Sequence, residues 1–134
     1  MIVSDTNLIA YLWLPNDKTQ IAEKIFKKDP TWNAPLLWKS EFRNVACKYI
    51  HHKVSTISDA LLSMEYAEEH LTGNEFEVES KIVIDLSLNS NCTPYDCEFV
   101  ALAMDLEIPL ITFDKKILAE FPDVALNPTQ FLSR

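Results

Sequence analysis

The sequence predicts an α/β fold, a three-layer α/β/α sandwich around a mainly parallel central sheet. Short apolar runs rich in β-branched residues, such as "MIVS" and "IPLIT", alternate with longer stretches whose apolar residues recur at helical spacing. Strands alternating with helices in this way favour parallel pairing, with the crossover helices covering both faces of the sheet. A chain of 134 residues is long enough to bury most of the surface its unfolded form exposes, and no repeat, low-complexity tract or linker divides it. One domain spanning residues 1–134 is expected.

"MIVS" reads as a strand, and "DTNLIAYLWL" as a helix with Leu8, Ile9 and Leu12 on its apolar side, broken by Pro15 and Asn16. "DKTQIAEKIFKK" is a second amphipathic helix through Ile21, Ala22, Ile25 and Phe26; its closing lysines suit a helix C-terminus, and Pro30 stops it. "TWNAP" is a second strand. "LLWKSEFRNVACKYIHHK" is a long helix carrying Leu37, Phe42, Val45, Ala46, Tyr49 and Ile50 toward the core. "TISDALLSMEYAEEHLTG" is a further helix, with Ser58 as N-cap and Gly73 as stop. "NEFEVESKIVIDLSLNSN" reads as a short extended link followed by a helix. In "CTPYDCEFVALAMDLE", Thr93 is the N-cap, Pro94 takes the first helical position, and Phe99, Val100, Leu102 and Ala103 form a buried stripe. "IPLITFD" is a strand ending on a carboxylate, "KKILAEF" a short helix and "VALNP" a last strand.

Composition removes several function classes. The net charge of −8 argues against an extensive basic face for nucleic acid, although acids gathered around a metal invert the local field. The single glycine, Gly73, excludes Gly-rich phosphate loops. Cys47, Cys92 and Cys97 form no CxxC pair and read as reduced thiols. The apolar runs "LIAYLWL" and "FVALAM" fall short of a membrane span, and no signal-peptide pattern opens the chain. A cytoplasmic protein without membrane attachment is expected.

Open α/β sheets bind ligands beyond the carboxyl ends of their strands, where strand order reverses. Asp5 and Asp114 each follow an apolar strand and so fall on that edge. Asp96, in the first turn of the helix after Thr93, and Glu41, in the helix after "TWNAP", can reach it from helix N-terminal halves. Each acid also has a structural explanation. Asp5 and Asp114 can cap the next helix, Thr93 and Asp96 resemble a capping box, and Glu41 can be a solvated carboxylate. The functional case rests on the four as a set.

Three segments carry a family resemblance: "SDTNLIAYL", "LLWKSEFRNVACK" and "TPYDCEFVALAMDLEIPLITFDKKI". In their order, and in total length, the chain resembles the PIN-domain ribonucleases, especially the VapC-type toxins of toxin–antitoxin pairs. The resemblance implies a metal-dependent endoribonuclease whose acidic site is Asp5, Glu41, Asp96 and Asp114. Asp5 and Asp96 are then direct ligands of Mg²⁺ or Mn²⁺, Asp114 completes the shell directly or through water, and Glu41 holds a water or acts as its base. Thr6, Asn7 and Thr112 are lesser candidates for orienting a carboxylate or water. Some relatives carry a further acid soon after the fourth; this chain has Lys115 and Lys116 there. The resemblance also implies an RNA substrate, a homodimer and an antitoxin partner.

Lys39, Arg43, Lys115 and Lys116 are candidates for phosphate contact, with solvated surface charge as the alternative. Trp13 and Trp38 are expected either at an interface or buried in the monomer. Two other classes compete. An aspartyl-phosphate phosphatase or phosphoacceptor domain also places Asp at strand ends, but Asn7 stands where the second acid of a D-x-D start belongs. A non-catalytic α/β binding module would use the acids only as caps. An RNA-processing PIN nuclease outside any toxin pair is the nearest alternative role.

Overall fold

Ile2 and Val3 are fully buried in a strand with neighbours on both sides, so the N-terminal run needs no polar face. The computed structural model describes residues 1–134. In chain order the elements are β1 (Ile2–Ser4), α1 (Thr6–Trp13), α2 (Thr19–Lys28), β2 (Trp32–Pro35), α3 (Leu37–His51), α4 (Ile57–Leu71), β3 (Glu75–Phe76), α5 (Ser80–Leu88), α6 (Pro94–Leu106), β4 (Leu110–Ile111), α7 (Lys115–Glu120), β5 (Ala125–Leu126) and α8 (Pro128–Leu132). The strands form one five-stranded sheet in the order β3-β2-β1-β4-β5, and every pairing is parallel. Helices α1 to α4 pack on one another, while α5 and α6 pack together and α6 lies against β1, β2 and β4. The expected α/β architecture is the observed one.

The core takes its bulk from the sheet and the helices that cover it. Trp32, Trp38, Phe42, Ile2, Leu8 and Leu102 are among its largest fully buried side chains. Buried indoles need a partner for N–H. Trp32 Nε1 donates to the Asp29 carbonyl at 2.7 Å and Trp38 Nε1 to Glu75 Oε1 at 2.6 Å. Trp13 is half-buried, its Nε1 donating to His70 Nδ1 at 3.2 Å. Of the two places expected for it, Trp38 therefore takes the core.

Three local expectations change. The extended link after Gly73 is a true edge strand, β3, paired through Ala34 with Glu75 and Pro35 with Phe76. Thr56, with an extended backbone, caps α4 by accepting from the Asp59 N–H at 3.1 Å; Ser58 already lies inside the first turn and cannot cap it. α8 is an addition, opened by a capping box between Asn127 and Gln130 with Pro128 at the first helical position. Gly73 does end α4, at φ +81°. No helix is long and apolar enough to cross a membrane.

Candidate active site

Strand order reverses at β1, which has β2 on one side and β4 on the other. The crevice beyond its carboxyl end is where such sheets bind ligands. Asp5 is the first residue past β1 and the N-cap of α1: its Oδ1 accepts from the Leu8 N–H at 2.8 Å, and its Oδ2 accepts from the Thr112 hydroxyl. Only 8% of Asp5 is exposed. Burial pushes its carboxyl up to about 6, although the Thr112 hydroxyl and the Leu8 and Phe113 N–H groups pull it down; the nearby Asp114 charge adds to the rise.

Thr112, fully buried, joins the two strand-end acids. Its Oγ1 donates to Asp5 and accepts from the Asp114 N–H at 3.0 Å. Asp114 caps α7, its Oδ1 accepting from Lys116 N–H at 2.9 Å and Ile117 N–H at 3.0 Å. Asp96 completes the capping box of α6: its Oδ2 accepts from the Thr93 N–H at 3.2 Å, and Thr93 Oγ1 from the Asp96 N–H at 3.1 Å. Glu41 is held from α1, where Thr6 Oγ1 donates to its Oε1 at 2.8 Å. Burial raises the Glu41 pKa, Thr6 lowers it, and the Asp96 charge raises it further.

Asp5, Glu41, Asp96 and Asp114 line one open cleft of about 210 Å³, together with Thr6 and Asn7. A larger hollow, about 370 Å³, opens beside Ile108, Val124 and Arg134; Ile108 and Val124 precede β4 and β5, so it lies at the opposite edge of the sheet. Its size does not make it the better candidate, because the convergence of buried and half-buried acids is at the first cleft.

Three of the acids are caps; Asp5 has both oxygens engaged, each accepting one hydrogen bond, and the other acids keep one oxygen free. One oxygen each of Glu41, Asp96 and Asp114 is engaged, while Glu41 Oε2, Asp96 Oδ1 and Asp114 Oδ2 have no hydrogen-bond donor. These free oxygens are hard donors of the kind Mg²⁺ and Mn²⁺ take. No three of the acids stand close enough as they are to enclose an ion. The donor set thus fits a hard divalent cation in chemistry, with the carboxylates approaching it from separate, individually anchored positions.

The basic candidates fall elsewhere. Lys39 lies 4.0 Å from Glu68 of α4, and Arg43, Lys115 and Lys116 are exposed outside the cleft lining. At 100° per residue, positions 39 and 43 point about 160° away from Glu41 on α3. Asn44 and Lys48, not singled out from the sequence, do line the cleft. The signal was available, since positions 41, 44 and 48 share one helical face.

The fold and the place of its acidic cleft define an α/β domain of PIN type. Residues 2–124 match the PIN domain family model, and the chain belongs to this family, whose members are generally nucleases. No curated protein matches it in sequence. Among solved structures it is similar to PAE2754 from Pyrobaculum aerophilum (18% identity, TM-score 0.72, covering 99% of this chain and 94% of that one). It is also similar to a chain of a toxin–antitoxin complex from Klebsiella pneumoniae (16% identity, TM-score 0.69, covering 96% and 98%). A third is a chain of VapBC-1 from nontypeable Haemophilus influenzae (20% identity, TM-score 0.63, covering 96% and 99%).

Proposed function

We propose that residues 1–134 act as a single-domain, metal-dependent endoribonuclease of the cytoplasm, the toxin of a toxin–antitoxin pair. The observation that carries the reading is the meeting of four carboxylates, drawn from positions 5, 41, 96 and 114, in one cleft at the strand-order reversal. Asp5, Asp96 and Asp114 would hold Mg²⁺ or Mn²⁺. The bound ion supplies charge stabilisation for a phosphodiester and makes a water molecule more acidic. The chain's own residues supply position and proton transfer. Thr6 holds Glu41 through Oε1 and so leaves Oε2 to take the proton of the attacking water. Thr112 fixes Asp5 and the start of the Asp114 turn relative to each other, and Asn7 offers a side-chain amide at the mouth of the cleft.

The toxin role is supported by the fold-level likeness to chains of toxin–antitoxin complexes. Exposed apolar residues along α4, Ile57, Leu61, Leu62 and Tyr66, offer surface to a partner or to a second copy in a homodimer. One observation favours a second reading, in which the acids are caps only: Asp5, Asp96 and Asp114 each accept a backbone N–H at a helix start.

Incubation of the purified protein with total RNA in Mg²⁺ or Mn²⁺, with and without EDTA, separates these readings. Cleavage abolished by EDTA is expected; cleavage undiminished by EDTA rejects the metal-dependent mechanism. Co-expression with the adjacent reading frame is expected to yield a silent complex that regains activity once the partner is stripped. A complex that is fully active rejects the antitoxin role.

A further inference from the structure

We infer that Lys48 is the cation that positions the RNA strand in the acidic cleft, by binding a phosphate next to the scissile one; the inference rests on the nuclease reading above. Lys48 is the one basic side chain among the residues lining the cleft. It shares that lining with four carboxylates, yet it forms no ion pair: the three pairs within 4.0 Å join the Met1 amino group to Asp29, Lys39 to Glu68 and Lys81 to Asp85. An exposed ammonium left unpaired beside four acids remains available to an anionic ligand.

Helix geometry sets which phosphate it meets. Lys48 follows Glu41 by seven residues, within about 20° of the same direction around α3 and about 10 Å farther along its axis. That offset places the ammonium beyond the reacting centre, so Lys48 acts on a neighbouring phosphate and takes no part in proton transfer. Asn44 stands between them, one turn from each, with an amide able to donate to the same strand. Val45 supplies apolar surface beside it. The sequence pattern Glu41, Asn44, Lys48 therefore runs from an acidic to a basic end along one helical face. An acidic cleft repels a polyanion until cations compensate it, and a lysine at one end gives the strand a preferred direction of entry.

Steady-state cleavage of a single-stranded RNA oligonucleotide by wild type, Lys48→Met, Lys48→Arg and the remote control Lys81→Met tests the assignment. The expected result is a KM about tenfold higher for Lys48→Met with kcat within about twofold, recovery in Lys48→Arg, and no change in Lys81→Met. The slope of log(kcat/KM) against log[salt] is expected to become shallower by about 0.7 in Lys48→Met, the share of one single-strand phosphate contact. A merely structural lysine would leave that slope unchanged. Wild type that cleaves RNA while Lys48→Met matches it in KM and salt slope overturns the role of Lys48 alone. Wild type that leaves RNA intact with every divalent metal overturns the nuclease reading, and this assignment with it.

Discussion

Asp5 serves three purposes in one side chain: it caps α1, accepts the Thr112 hydroxyl and faces the cleft. Its burial makes ionisation unfavourable, so the folded chain keeps its proton up to about pH 6, against 3.8 for the ordinary carboxyl. Between those values the folded state binds more protons than the unfolded one. The stability of the metal-free protein therefore falls as pH rises through this window, by about 3 kcal/mol, and the loss is complete above it. Asp5→Asn removes the ionisation while its amide oxygen still accepts from Leu8, because Asn caps helices as well as Asp does. In EDTA the variant is expected to melt above wild type at pH 7, with the difference closing by pH 4, while RNA cleavage drops at least about 100-fold. Thermal melts across that range check it; a variant no more stable than wild type at pH 7 shows that ionising the buried carboxyl costs the fold nothing.

At the scale of elements, α6 shows a cap and a candidate ligand built from the same atoms. Thr93→Ala removes the hydroxyl that accepts the Asp96 N–H, a loss of about 1 kcal/mol, and loosens the turn that aims Asp96. A small fall in melting temperature with a larger fall in cleavage is expected. Equal cleavage would show that the turn does not set the position of Asp96. This start was legible in the sequence because Thr93, Pro94 and Asp96 are all local signals, as were β1, α3 and the stop at Gly73. Less was legible where structure depends on distant partners. β3 is two residues long, and its strand character comes from hydrogen bonds to β2, such as Ala34 N–H to the Asn74 carbonyl at 3.1 Å. α8 carried its own local signal in "NPTQ", close to the end of the chain. Among site candidates, Thr6 and Thr112, which only the family resemblance pointed to, meet Glu41 and Asp5. Lys39 and Arg43 do not reach the cleft, because closeness to Glu41 along the chain is not closeness around a helix, where two residues turn by about 200°. The same rotation brings Lys48 into line.

Across the whole molecule, 20 acidic residues face 12 basic ones, and none of the three ion pairs lies in the cleft. Carboxylates drawn to about 4 Å of one another repel by roughly 4 kcal/mol per pair at an effective dielectric near 20. The separate anchors on Asp5, Glu41, Asp96 and Asp114 hold the acids in place without a cation, while the charge of Asp114 disfavours ionisation of Asp5 and that of Asp96 disfavours ionisation of Glu41, a repulsion that a bound cation would offset. A ligand that binds only the folded state adds about 2.7 kcal/mol at a hundredfold excess over Kd, which for a domain of this size raises Tm by roughly 10 °C. Saturating Mn²⁺ is therefore expected to raise the melting temperature of wild type by that order, and Mg²⁺ by less where its affinity is lower. KCl at matched ionic strength controls for screening of the general negative charge. Asp5→Asn and Asp96→Asn are expected to lose most of the Mn²⁺ shift, whereas Glu23→Gln, on the exposed side of α2, keeps it. If the shift in wild type is no larger with Mn²⁺ than with KCl, the four carboxylates share a cleft and hold no metal, Asp5, Asp96 and Asp114 serving only as caps. If Glu23→Gln loses the shift as fully as Asp96→Asn, the ion is bound elsewhere on the acidic surface.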